Sequence, residues 1–499
     1  MICLIQNQQD YNNDLRAMIM AFFPGVKIAE GSRENMELKI AGLGNKTEDA
    51  EFVFEACYED RCTRLKLYYL PDKSFHKKID YDYRDREGFR NKLKLAAYHL
   101  LSEYTGRRLP WGDLTGVRPT KIAMRQLLDG KDDDAAVKHY MDLYDVSQHK
   151  AELAVKVAKR ELMLTKDFDL EREFCLYVGI PFCPSRCLYC SFPSYPIEAY
   201  RDKALVYIEK LKEEISTVKM MLGDGRRLVS IYIGGGTPTS ISHTLMDNLL
   251  LHIENTFDLS HLREYTVEAG RPDSISEEKL AVLKKHGVTR MSINPQTMND
   301  ETLKTIGRAH TSAQTEEAFF LARGCGFDNI NMDIIAGLPD ESLGHMEYTL
   351  AKLKKLAPES ITVHSLAIKR AARLNEQMTE FGGSIHHDTD RMLDAVREAA
   401  CELGMEPYYL YRQKNIGGNL ENVGYAKEGC ECLYNILIME ELTDIISVGA
   451  GASTKLTFHK ENRVERVENC KSVDDYIERL AEMLDRKKKH NYEKFSEDI

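Results

Sequence analysis

Tyr177-Val-Gly-Ile-Pro-Phe-Cys-Pro-Ser-Arg-Cys-Leu-Tyr-Cys190 decides how the rest of this chain is read. An apolar run ends in a proline and delivers Cys183, Cys187 and Cys190 on one tight loop, with C-x3-C-x2-C spacing. Three thiolates held this close suit an iron–sulfur cluster, and an ordinary electron-transfer cluster takes four. No fourth cysteine stands close downstream, so one iron is left open as a place for a cofactor. Zinc also binds thiolates, but no cysteine or histidine pair at zinc-finger spacing supplies the missing ligand. Burial of the three as small apolar side chains is the plain alternative; the surrounding sequence favours the cluster.

Outward from this loop, short apolar runs alternate with amphipathic stretches of helical length, the pattern of successive βα units around a parallel sheet. Strands are expected at 174–180, 229–233, 265–268, 290–294, 330–334 and 361–365, with helices near 198–222, 242–255, 276–286, 312–324 and 343–356. Six units over about 190 residues fall short of the roughly 250 of an eight-unit barrel, so a partial (β/α)6 barrel follows. The fold class is α/β in three parts: an N-terminal α+β domain at 1–169, the barrel at 170–366, and a C-terminal α/β extension at 367–499 that covers substrate.

In the first part, strands at 51–58 and 64–69 pair through Glu59-Asp-Arg61, and 88–101 and 135–164 read as helices. Pro110-Trp-Gly-Asp-Leu-Thr-Gly-Val-Arg-Pro-Thr-Lys121 carries the only tryptophan and reads as a packing hinge onto the barrel, or second as a binding loop. In the last part, 386–403 is helical, 407–412 extended, and 472–484 an amphipathic helix with Ser472 as N-cap. Arg486-Lys-Lys-Lys-His490 reads as a solvated tail, and Cys430-Glu-Cys432 as structural thiols on a helical segment.

Composition narrows the setting. The 499 residues exceed one typical core. Hydrophobic content of 43% with 29% charged residues describes a globular protein. No signal peptide and no apolar run long enough to span a membrane is seen, so no membrane span is expected. Twelve cysteines without a signal peptide point to a reducing cytoplasm. Net charge of −11 argues against nucleic acid as a partner and requires a local cationic pocket for any anionic substrate.

In βα barrels ligands collect on the loops after the strands. There this chain places Gly234-Gly-Gly-Thr-Pro-Thr239, whose missing side chains let backbone approach a small ligand, then Glu268, Asn294, Gln296, Arg308 and Asp333. Each alone is a cap or surface group, but together after a cysteine loop they favour a cofactor cleft.

These motifs resemble the radical S-adenosylmethionine (SAM) superfamily. The resemblance implies a [4Fe-4S] cluster on Cys183, Cys187 and Cys190, and SAM on its open iron. It places Tyr177, Gly235, Gly236, Thr237, Glu268, Gln296, Arg308 and Asp333 on SAM, with Tyr189 beside the adenine. Together with Gly307-Arg-x-His310 and Asn331-x-Asp-Ile-Ile-x-Gly-Leu-Pro339, they are similar to the oxygen-independent coproporphyrinogen III oxidase family, and the Trp111 tract to its HemZ-like branch. That implies a tetrapyrrole substrate, oxidative decarboxylation of two propionates to vinyl groups, and an electron donor such as flavodoxin or ferredoxin. Lys369, Arg370, Arg373 and Arg412, with Lys414, are candidates to grip propionates. Two positions depart from the oxidase pattern: Gly179 replaces a histidine, and Phe192 an extra cysteine. The related haem chaperones carry His-Asn-x-x-Tyr-Trp, against Glu421-Asn-Val-Gly-Tyr-Ala426 here, which makes haem delivery the first alternative function and another radical SAM modification of a tetrapyrrole the second.

Overall fold

In a computed structural model the chain is described at residues 2–31, 52–69, 73–80, 85–223, 225–367, 388–413 and 417–490. Two compact units divide it: Met1–Lys159 with Leu410–Glu421, and Arg160–Tyr409 with Asn422–Ile499.

The first unit holds a five-stranded sheet of β1 (Ile2–Gln6), β2 (Ile28–Gly31), β3 (Phe52–Tyr58), β4 (Cys62–Tyr69) and β5 (Lys73–Asp80), in the order β2-β1-β3-β4-β5. The expected β3–β4 hairpin is present, antiparallel, with Tyr58 opposite Thr63. Leu15, Ile19 and Phe22 of helix Asn12–Phe22 share a core with Phe54, Leu65, Leu93 and Leu101. The helix expected over 135–164 is instead two, Asp133–Tyr144 and Gln148–Thr165. Asp145 interrupts them with a left-handed φ of 51°, a conformation that aspartate tolerates better than most residues.

The Trp111 tract packs inside this unit. Trp111 is fully buried, and its indole N–H donates to the Glu421 carboxylate at 2.7 Å. Lys150 Nζ binds the other Glu421 oxygen at 2.8 Å. Arg412 lies over the Trp111 ring at 5.6 Å and is 2% exposed. Burial depresses its charged form, and the pKa falls to about 9. This corrects the expectation that Arg412 presents a cation at an open barrel mouth. Lys369, Arg370, Arg373 and Lys414 lie outside the described residues.

In the second unit all six expected strands form: β6 (Glu173–Ile180), then after the short β7 (Phe182–Cys183) and β8 (Tyr195–Pro196), β9 (Arg227–Gly235), β10 (Glu264–Glu268), β11 (Arg290–Ser292), β12 (Ile330–Ala336) and β13 (Ser360–Ser365). They lie parallel in sequence order, β6-β9-β10-β11-β12-β13. Helices such as Ile197–Met221, His243–Thr256 and Leu343–Leu356 connect them, close to the expected bounds. Their nearly continuous apolar runs are buried along their length, as strands covered on both faces must be.

The sheet extends past both ends of this partial barrel. On the β13 side come β15 (Glu421–Ala426), antiparallel, and β14 (Glu406–Arg412). On the β6 side come β16 (Asp444–Val448), parallel to β6, then antiparallel β17 (Ser453–Phe458) and β18 (Arg463–Glu468). The C-terminal extension is therefore continuous with the barrel sheet. The expected 472–484 helix breaks at Arg479 into Val473–Glu478 and Leu480–Lys488, with Ser472 capping Asp475 N–H as expected. The supposed solvated tail is partly buried: Lys487 is sealed in and pairs with Glu214 at 2.8 Å. Cys430 and Cys432 precede helix Leu433–Glu440 rather than sitting on it.

Candidate cluster and cofactor site

All six parallel strands end at the same edge, and the residues singled out from sequence gather there. The glycine run at the end of β9 is shaped by its neighbours. Gly236 N–H donates to Ile180 O at 2.8 Å and Thr237 N–H to Phe182 O at 2.7 Å, tying the run to the start of the cysteine loop. A Cβ on Gly236 would stand 2.6 Å from the Phe182 carbonyl oxygen, so only glycine fits. Gly235 has φ 109°, and a Cβ there would meet the Tyr177 hydroxyl at 3.3 Å.

The three cysteines are free thiols. Burial pushes the Cys183 thiol up to about 11 and also raises Cys190. Thr237 Oγ1 donates to Cys183 Sγ at 3.5 Å, and the Arg271 guanidinium reaches Cys187 Sγ at 3.8 Å. Leu188 N–H donates to Ile306 O at 3.0 Å, seating the loop against the end of helix Asp300–Thr305. Tyr189 packs with Leu303, Ile306, Ile335, Leu338 and Leu366. Burial raises its hydroxyl pKa, opposed by the Arg308 charge beside it.

Glu268 closes β10. Its carboxylate accepts from Tyr232 OH at 2.6 Å and from Gly235 N–H at 3.3 Å. Burial, assisted by the Asp333 charge, pushes its pKa up to about 7 against those bonds. Asp333 moves the other way: burial raises it, but bonds from His364, Asn331 and Thr362 outweigh that and leave it lowered. Gln296 is 7% exposed and adopts φ 67°, a strained conformation for a side chain of its kind. It is held by Gln296 N–H to Asp333 O and Ile335 N–H to Gln296 O, both 2.9 Å. Arg308 is buried and donates to the Asn294 and Gly270 carbonyls.

Two side chains here escaped the sequence reading. Tyr232 aligns with Tyr177 across β6 and β9, and the rings stack at 6.2 Å, with Tyr434 4.5 Å from Tyr232. Strand register was the signal that could have found it. Arg271 gave none, because the cysteine-loop groups it reaches lie some 85 residues away along the chain.

The donor set suits an iron–sulfur cluster: three thiols outside any disulfide, each with a hydrogen-bond donor aimed at it. Arg308 Nε, Asn294 Oδ1, Ser292 Oγ and both ring nitrogens of His310 are buried without hydrogen-bond partners at the same edge. Buried polar atoms ordinarily find partners, so this edge is fitted to a polar ligand. The departure at Gly179 also has a physical reason. A Cβ there would press on the Val448 carbonyl at 3.2 Å, because β16 lies against β6. Phe192 is solvent-exposed.

Comparison with known proteins agrees with this geometry. The Radical SAM superfamily is matched over residues 177–353. The oxygen-independent coproporphyrinogen-III oxidase-like protein HemZ of Bacillus subtilis (strain 168) is 40% identical over 415 residues, 82% of this chain and 83% of that protein. The chain belongs to the radical SAM superfamily, in the HemZ-like coproporphyrinogen oxidase family. Members of the superfamily use a 4Fe-4S cluster and SAM, and Cys183, Cys187 and Cys190 fit that use. The heme chaperone HemW of Bacillus subtilis (strain 168) is 32% identical over 61% of this chain and 76% of its own length. The HemW of Escherichia coli (strain K12) is 31% identical over 57% and 70%. Among solved structures, coproporphyrinogen III oxidase (HemN) from Escherichia coli aligns with a TM-score of 0.49 at 20% identity, covering 65% of this chain and 72% of that one. Among the described residues no helix is long and apolar enough to cross a membrane.

Proposed function

We propose that this chain decarboxylates two propionates of coproporphyrinogen III oxidatively and without oxygen, giving protoporphyrinogen IX in the cytoplasm; a donor such as flavodoxin or ferredoxin supplies one electron for each SAM cleaved, and an external acceptor takes the one electron that each propionate releases with its carbon dioxide. When bound, the cluster and SAM supply hydrogen-abstracting radical chemistry, and the protein supplies orientation and charge. In this reading Cys183, Cys187 and Cys190 hold the cluster. The backbone of Gly235 and Gly236 with the Thr237 hydroxyl lines the methionine end of SAM. Glu268 and Asp333 take its ammonium and ribose hydroxyls, and Arg308 and Gln296 its carboxylate. Tyr177 and Tyr189 close the pocket.

The observation that carries this reading over haem delivery is Glu421. It stands where the chaperones have the histidine of their haem motif, is 1% exposed, and is bonded to Trp111 and Lys150. A carboxylate so enclosed serves the packing of the first unit and offers no ligand to haem iron. Ala426 replaces the motif's tryptophan and is likewise buried.

Anaerobic turnover with reconstituted cluster, SAM, a strong reductant, a one-electron acceptor and coproporphyrinogen III tests the proposal. The expected products have lost one and then two carbon dioxide units, with SAM consumed in step. Stable haem binding with coproporphyrinogen left intact would overturn it in favour of the chaperone function.

A further inference from the structure

Arg271 stands on the loop between β10 and the Pro272–Ser274 turn, 2% exposed. Its Nε and Nη2 bind the two oxygens of Asp273 at 2.9 and 2.8 Å, a fork that sets the plane of the guanidinium. The remaining nitrogen, Nη1, then points at the cysteine loop. It donates to the Ser185 carbonyl and hydroxyl, both at 3.1 Å, and reaches Cys187 Sγ at 3.8 Å. One side chain thus pins the loop from β10 and brings a permanent positive charge to one cluster ligand. The carboxylate that balances this charge lies on the far side of the guanidinium from the sulfur.

We infer that Arg271, oriented by Asp273, is a positioning residue that both shapes the cysteine loop and raises the reduction potential of the cluster. The inference rests on the cluster assignment above. Hydrogen bonds and charge at the ligand sulfurs set the potentials of such centres. Reduction adds negative charge to the cluster, so a cation beside Cys187 favours the reduced form. Removing it makes the cluster harder to reduce.

The test is an anaerobic redox titration of the reconstituted full-length protein without SAM, followed by electron paramagnetic resonance, with iron and sulfide counted for each variant. Arg271→Met should shift the midpoint to a more negative value. Arg271→Lys keeps the charge but loses the fork, and should return the midpoint toward wild type while iron loading stays reduced. Asp273→Asn removes the balancing negative charge and should shift the midpoint the opposite way. SAM cleavage with a fixed weak reductant should fall by ~10–100-fold in Arg271→Met. A role confined to loop shape predicts lower iron content with an unchanged midpoint in the clusters that form. Equal midpoints in wild type and Arg271→Met would overturn the inference. If Arg271→Met takes up no iron, the Lys and Asn midpoints decide it: unchanged values overturn it, and shifts in the stated directions support it. A wild-type protein that binds no 4Fe-4S cluster would overturn the cluster assignment instead.

Discussion

Around Glu214 a buried carboxylate meets four donors, whereas at the carboxyl edge of the strands several equally buried polar atoms meet none. Glu214 accepts from Gly449 N–H, Asn469 Nδ2 and Tyr476 OH, and pairs with Lys487 at 2.8 Å. That network joins helix Ile197–Met221 to the end of β16 and to both C-terminal helices. At the strand edge, Ser292 Oγ, Asn294 Oδ1, Arg308 Nε and both His310 ring nitrogens have no hydrogen-bond partner, although His310 Nδ1 faces the Asp273 carboxylate at 3.9 Å. The His310 ring stays neutral, since burial, with Arg308 and Arg271 nearby, drives its pKa down to about 3. The satisfied group fixes how distant segments pack, whereas the partnerless atoms at the strand edge leave bonding capacity beside the cysteine loop.

The contrast is broken most directly at Glu214. Glu214→Ala leaves the Lys487 charge buried without a carboxylate, with only the Ser447 carbonyl to accept from it, and should cost about 3–5 kcal/mol of stability in urea unfolding, while SAM cleavage per folded molecule is retained. A loss of cleavage at unchanged stability would place Glu214 with the functional groups. Arg308→Met should behave in the opposite sense. Losing a charged hydrogen-bond donor to SAM, worth about 1.5–3 kcal/mol, should raise the SAM dissociation constant by one to two orders of magnitude, with a far smaller change in the unfolding midpoint.

A third comparison sets two glycines against each other. Gly236→Ala drives a Cβ to 2.6 Å from backbone, and strain of this kind costs about 1–3 kcal/mol. It should reduce cluster loading, because Phe182 leads directly into Cys183. Gly179→Ala meets Val448 O at 3.2 Å, and its effect on melting temperature should be smaller.

The smallest effect concerns protonation. With its pKa at about 7, Glu268 sheds its proton as pH rises through neutrality, and only the carboxylate attracts the cationic groups of SAM. SAM affinity should therefore rise between pH 6 and 8 by at most about tenfold for each unit of pKa shift that SAM induces. Glu268→Gln should flatten the profile. A wild-type profile already flat would mean that Glu268 does not face a cationic group.

What was legible in the sequence was local. Strand and helix positions from Phe174 to Ser365 follow from periodicity, because a strand buried on both faces needs a continuous apolar run and its covering helix an apolar stripe. The cysteine spacing and the glycine run were equally readable, since ligand bite and backbone approach depend on near neighbours in the chain. Two helix breaks were missed, at Asp145 and Arg479, because neither residue is a glycine or proline. In sequence Arg412 reads as a cation for substrate propionates and Lys487 as part of a solvated tail, yet their burial depends on Trp111 and Glu214, each more than 250 residues distant. Gly179 stands where the oxidases have a histidine, and only the packing of β16 against β6 shows why a side chain is crowded there. Arg271 was invisible for the same reason. Pairing between distant segments has no local pattern, so only the tertiary structure decided which charges are sealed in, which are satisfied, and which face the cluster.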